Sequence, residues 1–193
     1  VRLSTLVISE DLGKIRLAIR MAKETCLVVD AEKCCLRTFT SADLVTEMIE
    51  RLMNWRASNL RPFLKIFAPT LAGTQRWAEG LLRNEDRILF IVEHGGSPVG
   101  HLGLCNFGRG YEICDVLRGE PAPRFVMTEA LTVFIAWLRN VGVQKIQLHV
   151  ANDEIPAIRL YHRLGFVPTE IVPLTVIEEN GEVSWQKTDA QDK

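Results

Sequence analysis

The sequence lacks an excess of charge of either sign. Lys and Arg number 23 against 24 Asp and Glu, a net charge of −1. General nucleic-acid binders and polybasic membrane binders rely on concentrated positive charge, so neither class fits. A long apolar run is also missing. No stretch reaches the roughly 18 uncharged apolar residues of a membrane span, and the most apolar segment, 125–138, is short and contains Glu129. The first 30 residues carry acids and bases throughout, without the continuous apolar centre of a signal peptide, so the cytoplasm is the expected compartment. The five cysteines include no C-x-x-C pair, and Cys34 and Cys35 are adjacent. Reduced thiols are expected. The four histidines, His94, His101, His149 and His162, show no ligand spacing, so no metal site is expected.

What is present is globular. The 193 residues are 47% hydrophobic and 24% charged, which excludes disorder and low-complexity fibre. A chain of this length removes roughly 70% of its unfolded surface from water without disulfide staples. Residues 1–33 read as a small β-α-β piece: a strand at 3–8, a helix opening at Ser9 with Leu12, Ile15, Ile19 and Ala22 at helical spacing, and a strand at 26–29. This piece is taken as an N-terminal extension or the remnant of a preceding domain. The chain begins at Val1, which leaves open a fused domain ahead of it.

From Cys35 onward the pattern is denser. An alternating strand from Cys35 leads into a helix to about Trp55, and Thr74 is read as the cap of a second helix. Strands follow at 87–93, 98–107 and 111–117, joined by turns at His94-Gly-Gly-Ser97 and Gly108-Arg109-Gly110. Met127, Ala130, Leu131, Phe134, Trp137 and Leu138 mark the clearest helix, ended by Gly142. A strand at 144–150, a short helix ended by Gly165, and strands at 166–177 and 182–186 around Asn180-Gly181 complete the order. The order β-α-α-β-β-β-α-β-α-β-β predicts an α+β domain over 34–187, a mixed central sheet flanked by helices, with a polar tail at 188–193.

Two units carry chemistry. In the first, the strand from Tyr111 runs through Arg118-Gly-Glu-Pro-Ala-Pro-Arg124 into the clearest helix. A helix N-terminus with unpaired N–H groups and nearby arginines is an anion site. In the second, Ala157-Ile-Arg-Leu-Tyr161 is followed by Leu164-Gly-Phe166. This unit resembles the fourth helix of the GNAT superfamily of acyl-CoA-dependent N-acetyltransferases, and the segment 111–138 resembles the same family's CoA pyrophosphate-binding segment. The element order over 35–186 is similar too.

The resemblance implies acetyl-CoA as co-substrate and no metal. Val116 and Leu117 would pair with the pantetheine arm as an added strand does. The family's loop carries glycines where this chain has Pro121, Pro123 and Arg124, and proline offers no N–H. Pyrophosphate binding would then rest on the amides of Gly119, Arg124, Phe125 and Val126, with the Arg118 and Arg124 side chains. The family's usual Asn position is Glu154 here, with Asn152 nearby. Glu112 is the candidate base for the attacking amine, Asp115 the runner-up, and Glu93 and His149 are weaker. Tyr161 would protonate the leaving thiolate. His101, between Gly100 and Gly103, would line the cleft. Trp55 and Arg56, with Trp77 further on, are similar to the branches that act on nucleotide-linked amino sugars and on ribosomal-protein N-termini. Arg56, Arg61 and Lys65 would meet a diphosphate or an acidic partner.

Three functions stay open at this point. One is acetyl transfer to a small-molecule primary amine, including a nucleotide-linked amino sugar. The second is acetylation of a protein N-terminus or lysine, and the third is a non-catalytic acyl-CoA-binding module. No nucleic acid or membrane partner is expected, and a homodimer is left open.

Overall fold

The run Ile88-Leu-Phe-Ile-Val92 is apolar at every position, so a strand built from it needs cover on both faces. A computed structural model describes residues 2–4, 12–59, 65–66, 68–106, 110–179 and 182–187. In chain order the elements are Arg2–Ser4 (β1), Leu12–Thr25 (α1), Val28–Asp30 (β2), Cys35–Thr38 (β3), a 3₁₀ turn at Ser41–Asp43, Thr46–Ser58 (α2), Lys65–Ile66 (β4) and Leu71–Arg83 (α3). They continue with Arg87–His94 (β5), Ser97–Asn106 (β6), Tyr111–Arg118 (β7), Val126–Asn140 (α4), Ile146–His149 (β8), Ile155–Arg163 (α5), Pro168–Glu170 (β9), Leu174–Glu179 (β10) and Glu182–Lys187 (β11).

The main sheet has the order β2-β3-β5-β6-β7-β8-β1-β9. All its neighbours are antiparallel except β7 and β8. This is the expected α+β fold. Ile88, Phe90 and Val92 pack on the face shared with α1 and α4, while Leu89 and Ile91 pack with α2 and α3. Alternation along a strand sends neighbours to opposite faces, so one run serves two cores. Phe90 lies 5.3 Å from the rings of both Phe134 and Trp137, edge-on to each.

The segment 1–33 contributes its described residues to this same body. Strands β1 and β2 belong to the main sheet, and Ile15, Ile19 and Ala22 of α1 are buried in its core. Arg16 forms a two-point ion pair with Asp86 at 2.8 and 2.9 Å. Lys23 donates to the carbonyls of Leu81 and Asn84 at the end of α3. The helix start at Ser9, the turn residues 108–109, the Asn180-Gly181 turn and the tail at 188–193 lie outside the described residues.

The structure alters several local readings. The single strand at 166–177 is two: β9 stays in the main sheet, whereas β10 pairs with β11 in a separate sheet that also holds β4. Pro173 sits in the break, where a missing N–H interrupts a ladder. Helix α3 is capped by Thr70, whose Oγ1 accepts from the Gly73 N–H at 3.1 Å, and Thr74 lies inside the helix. Cys105 and Cys114, expected as thiols, form a cross-strand disulfide with Cα atoms 6.4 Å apart, and Cys26, Cys34 and Cys35 are free. Only the adjacency of β6 and β7 brings the two sulfurs together. Among the described residues, no helix is long and apolar enough to cross a membrane, and no His/Cys/Asp/Glu group is suited to a metal.

Phe90→Ala removes the ring that joins Phe134 and Trp137 and leaves a cavity in the α1/α4 core. Denaturant unfolding should show a loss of about 3–5 kcal/mol. A loss below about 1 kcal/mol would mean that this cluster is not an anchor of the sheet.

Candidate active site

Strand β7 changes face part-way along. Tyr111 and Ile113 are buried on the α1/α4 side, but Leu117, of the same parity, is buried on the α2/α3 side. An uninterrupted strand would keep all three on one face. The register explains it: Gly103 pairs with Cys114 and His101 with Leu117, so three steps on β7 match two on β6. This is a β-bulge, and Asp115 absorbs it with a left-handed φ of 52°. On its other edge β7 pairs with β8 only at Tyr111↔Ile146 and Glu112↔Gln147. The two strands then part, and Val116 and Leu117 lie past the last paired residue.

A cavity of about 240 Å³ opens against the bulge. His101 and Asp115 line it from the sheet, Leu52 and Arg56 from α2, and Pro69 and Trp77 from the α3 arm. The Asp115 carboxylate accepts from Arg87 Nη2 at 2.7 Å. Its backbone carbonyl pairs with Nδ1 of His101 at 2.5 Å. A carbonyl can only accept, so Nδ1 carries the proton. His101 is 5% exposed, and burial pushes its pKa below the ordinary histidine value. Asp115 opposes that shift, and Arg56 adds to it. Burial also pushes the Arg56 guanidinium down to about 10, against the pull of Asp115. Gly100 allows the close approach of β6 and β7 here, since a Cβ would collide with the Leu117 carbonyl.

Trp55 stands behind the cavity and does not line it. Its ring lies 6.1 Å from that of His101, and its Nε1–H donates to Glu120 Oε1 at 2.8 Å. A Cβ on Gly119 would enter the Trp55 ring, so the indole packs on bare backbone. Trp55 therefore ties α2 to the loop between β7 and α4.

That loop spends its amides differently from the sequence expectation. The N–H groups of Gly119 and Glu120 both donate to the Val99 carbonyl, at 2.9 and 3.0 Å, and that of Val126 to the Pro123 carbonyl at 3.3 Å. Gly119 and Val126 thus have intramolecular acceptors. Phe125 is the N-cap of α4, in the left-handed region at φ 71°. The first bond of the helix is Glu129 N–H to the Phe125 carbonyl, so Met127 and Thr128 begin the turn without a helical acceptor. Arg124 and Arg163 place their guanidinium carbons 4.8 and 5.5 Å from the Phe125 ring centre. The two arginines and the positive end of the helix dipole form an anion-attracting corner. In the sequence, the basic last turn of α5 is the only signal for Arg163. Arg118 is exposed at the end of β7, and Asn152 is exposed in the turn before α5.

The remaining candidates are dispersed. Glu112 Oε1 meets His149 Nδ1 at 2.9 Å where β7 and β8 begin to part, and neither residue lines the cavity. Glu93 is held by Arg37 Nε at 2.9 Å. Tyr161 is 7% exposed and belongs to the α1/α4 core, with its ring edge-on to Phe166. Burial pushes its phenol up to about 12, so the hydroxyl keeps its proton at neutral pH. The fold thus gathers His101, Asp115 and Arg56 in one cavity, with Trp55 behind it, and leaves Glu112 paired outside that wall.

The arrangement matches known proteins. Residues 49–166 match the model of the Acetyltransferase (GNAT) family. Among curated protein sequences no match is found. A probable GNAT-family acetyltransferase from Chromobacterium violaceum superposes with a TM-score of 0.64 at 15% identity, covering 82% of this chain and 83% of that one. A spermidine N-acetyltransferase from Vibrio cholerae, in complex with CoA and spermine, gives 0.61 at 18% identity, covering 79% and 93%. An aminoglycoside N-acetyltransferase in complex with CoA gives 0.55 at 16% identity, covering 76% and 96%. At such identities the likeness shows the fold. The family match spans more than half of the chain, from α2 through the end of α5, and the chain belongs to the GNAT acetyltransferase family.

Proposed function

We propose that this acyltransferase moves an acetyl group from acetyl-CoA to the primary amine of a small molecule. The observation that carries this reading is the cavity at the bulge of a strand whose far edge has parted from its neighbour. Backbone groups left there need a partner, and an extended pantetheine arm supplies one as an added strand does. Val116 and Leu117 offer that edge. The diphosphate sits at the start of α4, beside Arg124 and Arg163, with the amides of Arg124, Phe125, Met127 and Thr128 in place of those spent inside the loop. Arg118 adds charge at the strand end, and Asn152, exposed in the turn before α5, is assigned to the same cofactor. Two structural relatives hold CoA, which supports the assignment.

The acceptor enters from the α2/α3 side. A neutral amine attacks the thioester carbonyl, the C–N bond forms, and the C–S bond breaks. Tyr161 gives its proton to the departing sulfur. A cavity of about 240 Å³ is smaller than the roughly 300–1,000 Å³ of drug-sized sites. It suits a compact amine, or the amino-bearing sugar of a nucleotide-linked amino sugar whose nucleotide stays outside. Arg56 is placed to meet an anionic group on such an acceptor. A protein acceptor calls for a wide acidic groove, and this wall has one arginine facing one aspartate.

Acetyl-CoA turnover against amino sugars, polyamines and peptides tests the reading. Turnover of a small amine is expected, and CoA binding with no turnover of any acceptor would reduce the chain to a binding module. The double variant R124A/R163A should weaken CoA binding roughly 5- to 150-fold by calorimetry, as expected for about 1–3 kcal/mol of charge-assisted bonding. Unchanged affinity would remove the anion corner from the site. Tyr161→Phe should lower kcat about tenfold with CoA affinity intact, because the thiol's ordinary pKa of about 8.5 already makes its thiolate a fair leaving group. If melting temperature drops and turnover per folded molecule does not, Tyr161 is a packing residue.

A further inference from the structure

Five groups, His149 among them, compete for the amine's proton, and their surroundings separate them. Glu112 is engaged with His149 outside the cavity wall, Glu93 with Arg37 at a distance from it, and the Asp115 carboxylate with Arg87. His101 remains. Of the four histidines, His94, His149 and His162 are exposed, and His101 alone is buried and lines the acceptor cavity. We infer that His101 is the general base of the transfer, receiving the amine's proton on Nε2, and that the Asp115 carbonyl is the positioning group that holds the imidazole in that tautomer.

The inference rests on the acetyltransferase reading above and adds to it a residue role that the sequence placed elsewhere. Its physical basis is the bulge. Inserting Asp115 turns a backbone carbonyl out of the ladder and towards Nδ1 of His101 at 2.5 Å. With Nδ1 donating, Nε2 of the neutral ring bears the lone pair. The ring is held on several sides: β6 is pinned to β7 at Gly100, Trp55 packs 6.1 Å away, and the carbonyl bond fixes its rotation. The charged groups acting on it are Asp115 from β7 and Arg56 from α2, with Arg87 of β5 neutralising the Asp115 carboxylate at 2.7 Å. Burial and Arg56 keep the resting ring neutral, the form a base requires.

The step balances. The neutral amine's lone pair forms the C–N bond with the thioester carbonyl carbon. The nitrogen, now cationic and far more acidic, gives one proton to His101 Nε2. As the tetrahedral centre collapses the C–S electrons leave with sulfur, which takes a proton from Tyr161. The imidazolium and the phenolate then return to rest by exchange with water. The products are the amide and CoA thiol.

The test follows thiol release from acetyl-CoA with glucosamine, spermidine and an alanyl dipeptide as acceptors, across pH. Wild-type kcat should fall on the acid side with a midpoint below the ordinary histidine value of about 6.5, since protonation of His101 removes the base. His101→Asn keeps an N–H where Nδ1 donates to Asp115 and removes Nε2. It should retain CoA affinity, lower kcat about a hundredfold and abolish the acid limb. His101→Gln, which puts an amide near the Nε2 position, should behave alike. A folded variant with near-wild-type kcat, or with the acid limb in place, overturns the inference. Should both variants fail to fold, ¹⁵N NMR of the wild-type imidazoles decides. A neutral ring protonated at Nδ1 near pH 7 supports the assignment, and an Nε2–H tautomer or a charged ring refutes it. Failure of the wild type to acetylate any of the three amines, with CoA bound, would sink the acetyltransferase reading itself. Turnover with an acid limb indifferent to His101 sinks this inference alone.

Discussion

The site depends on one extra residue in one strand. Strand β7 must stay bonded to β6 along its length and yet release β8 after two pairs. The bulge at Asp115 reconciles these demands, because an inserted residue bends the strand and increases its twist. One edge of β7 remains in the ladder, and the other becomes a row of backbone groups without a neighbouring strand. A protein cannot leave such a row dry without cost. On the proposed reading, an extended co-substrate with its own amides meets that need.

The same residue organises the charge around the cavity. The Asp115 carboxylate holds Arg87, its carbonyl holds His101, and its field acts on Arg56. Three side chains from β5, β6 and α2 are thereby oriented by one residue in an unusual backbone conformation. A left-handed φ at a non-glycine residue costs energy, and surrounding bonds must over-determine it for it to persist. The Arg87 ion pair and the Asp115–His101 bond supply that restraint. They also explain why an aspartate is well suited to this position: Asp tolerates the left-handed region better than bulkier residues.

The sheet separates two groups of polar residues. The α2/α3 face carries the cavity at the bulge and His101, while the α1/α4 core buries Tyr161, with Arg163 of α5 beside the Phe125 ring. His101 and Tyr161 therefore lie in the cores of opposite sides of the sheet. Trp55 links the halves, reaching from α2 to Glu120 and packing on the backbone of Gly119. Movement at one end of this link would be felt at the other through rigid contacts.

Most of the element order, and the family, were legible in local pattern alone; β4 and the division of the 166–177 strand were not. Helical spacing from Met127 to Leu138, alternation in the strands, and Ala157–Tyr161 with Gly165-Phe166 depend on residues near one another in the chain, which is where periodicity and capping act. Partnerships across strands were not legible. Nothing in Cys105 and Cys114 declares a disulfide, and nothing in Glu112 declares His149, because those pairings require β6, β7 and β8 to lie side by side. In one dimension the Gly119 amide is a free donor, and only the folded chain gives it to the Val99 carbonyl of β6. His101 read as a residue between two glycines. Its buried ring, its tautomer and its place in the cavity come from a carbonyl fourteen residues away, exposed by a bulge that has no one-dimensional signature. Sequence by itself determined most of the elements and which family they build. Tertiary structure decided which polar groups are spent on one another and which are left for chemistry, since hydrogen-bond accounting closes only when every neighbour is in place.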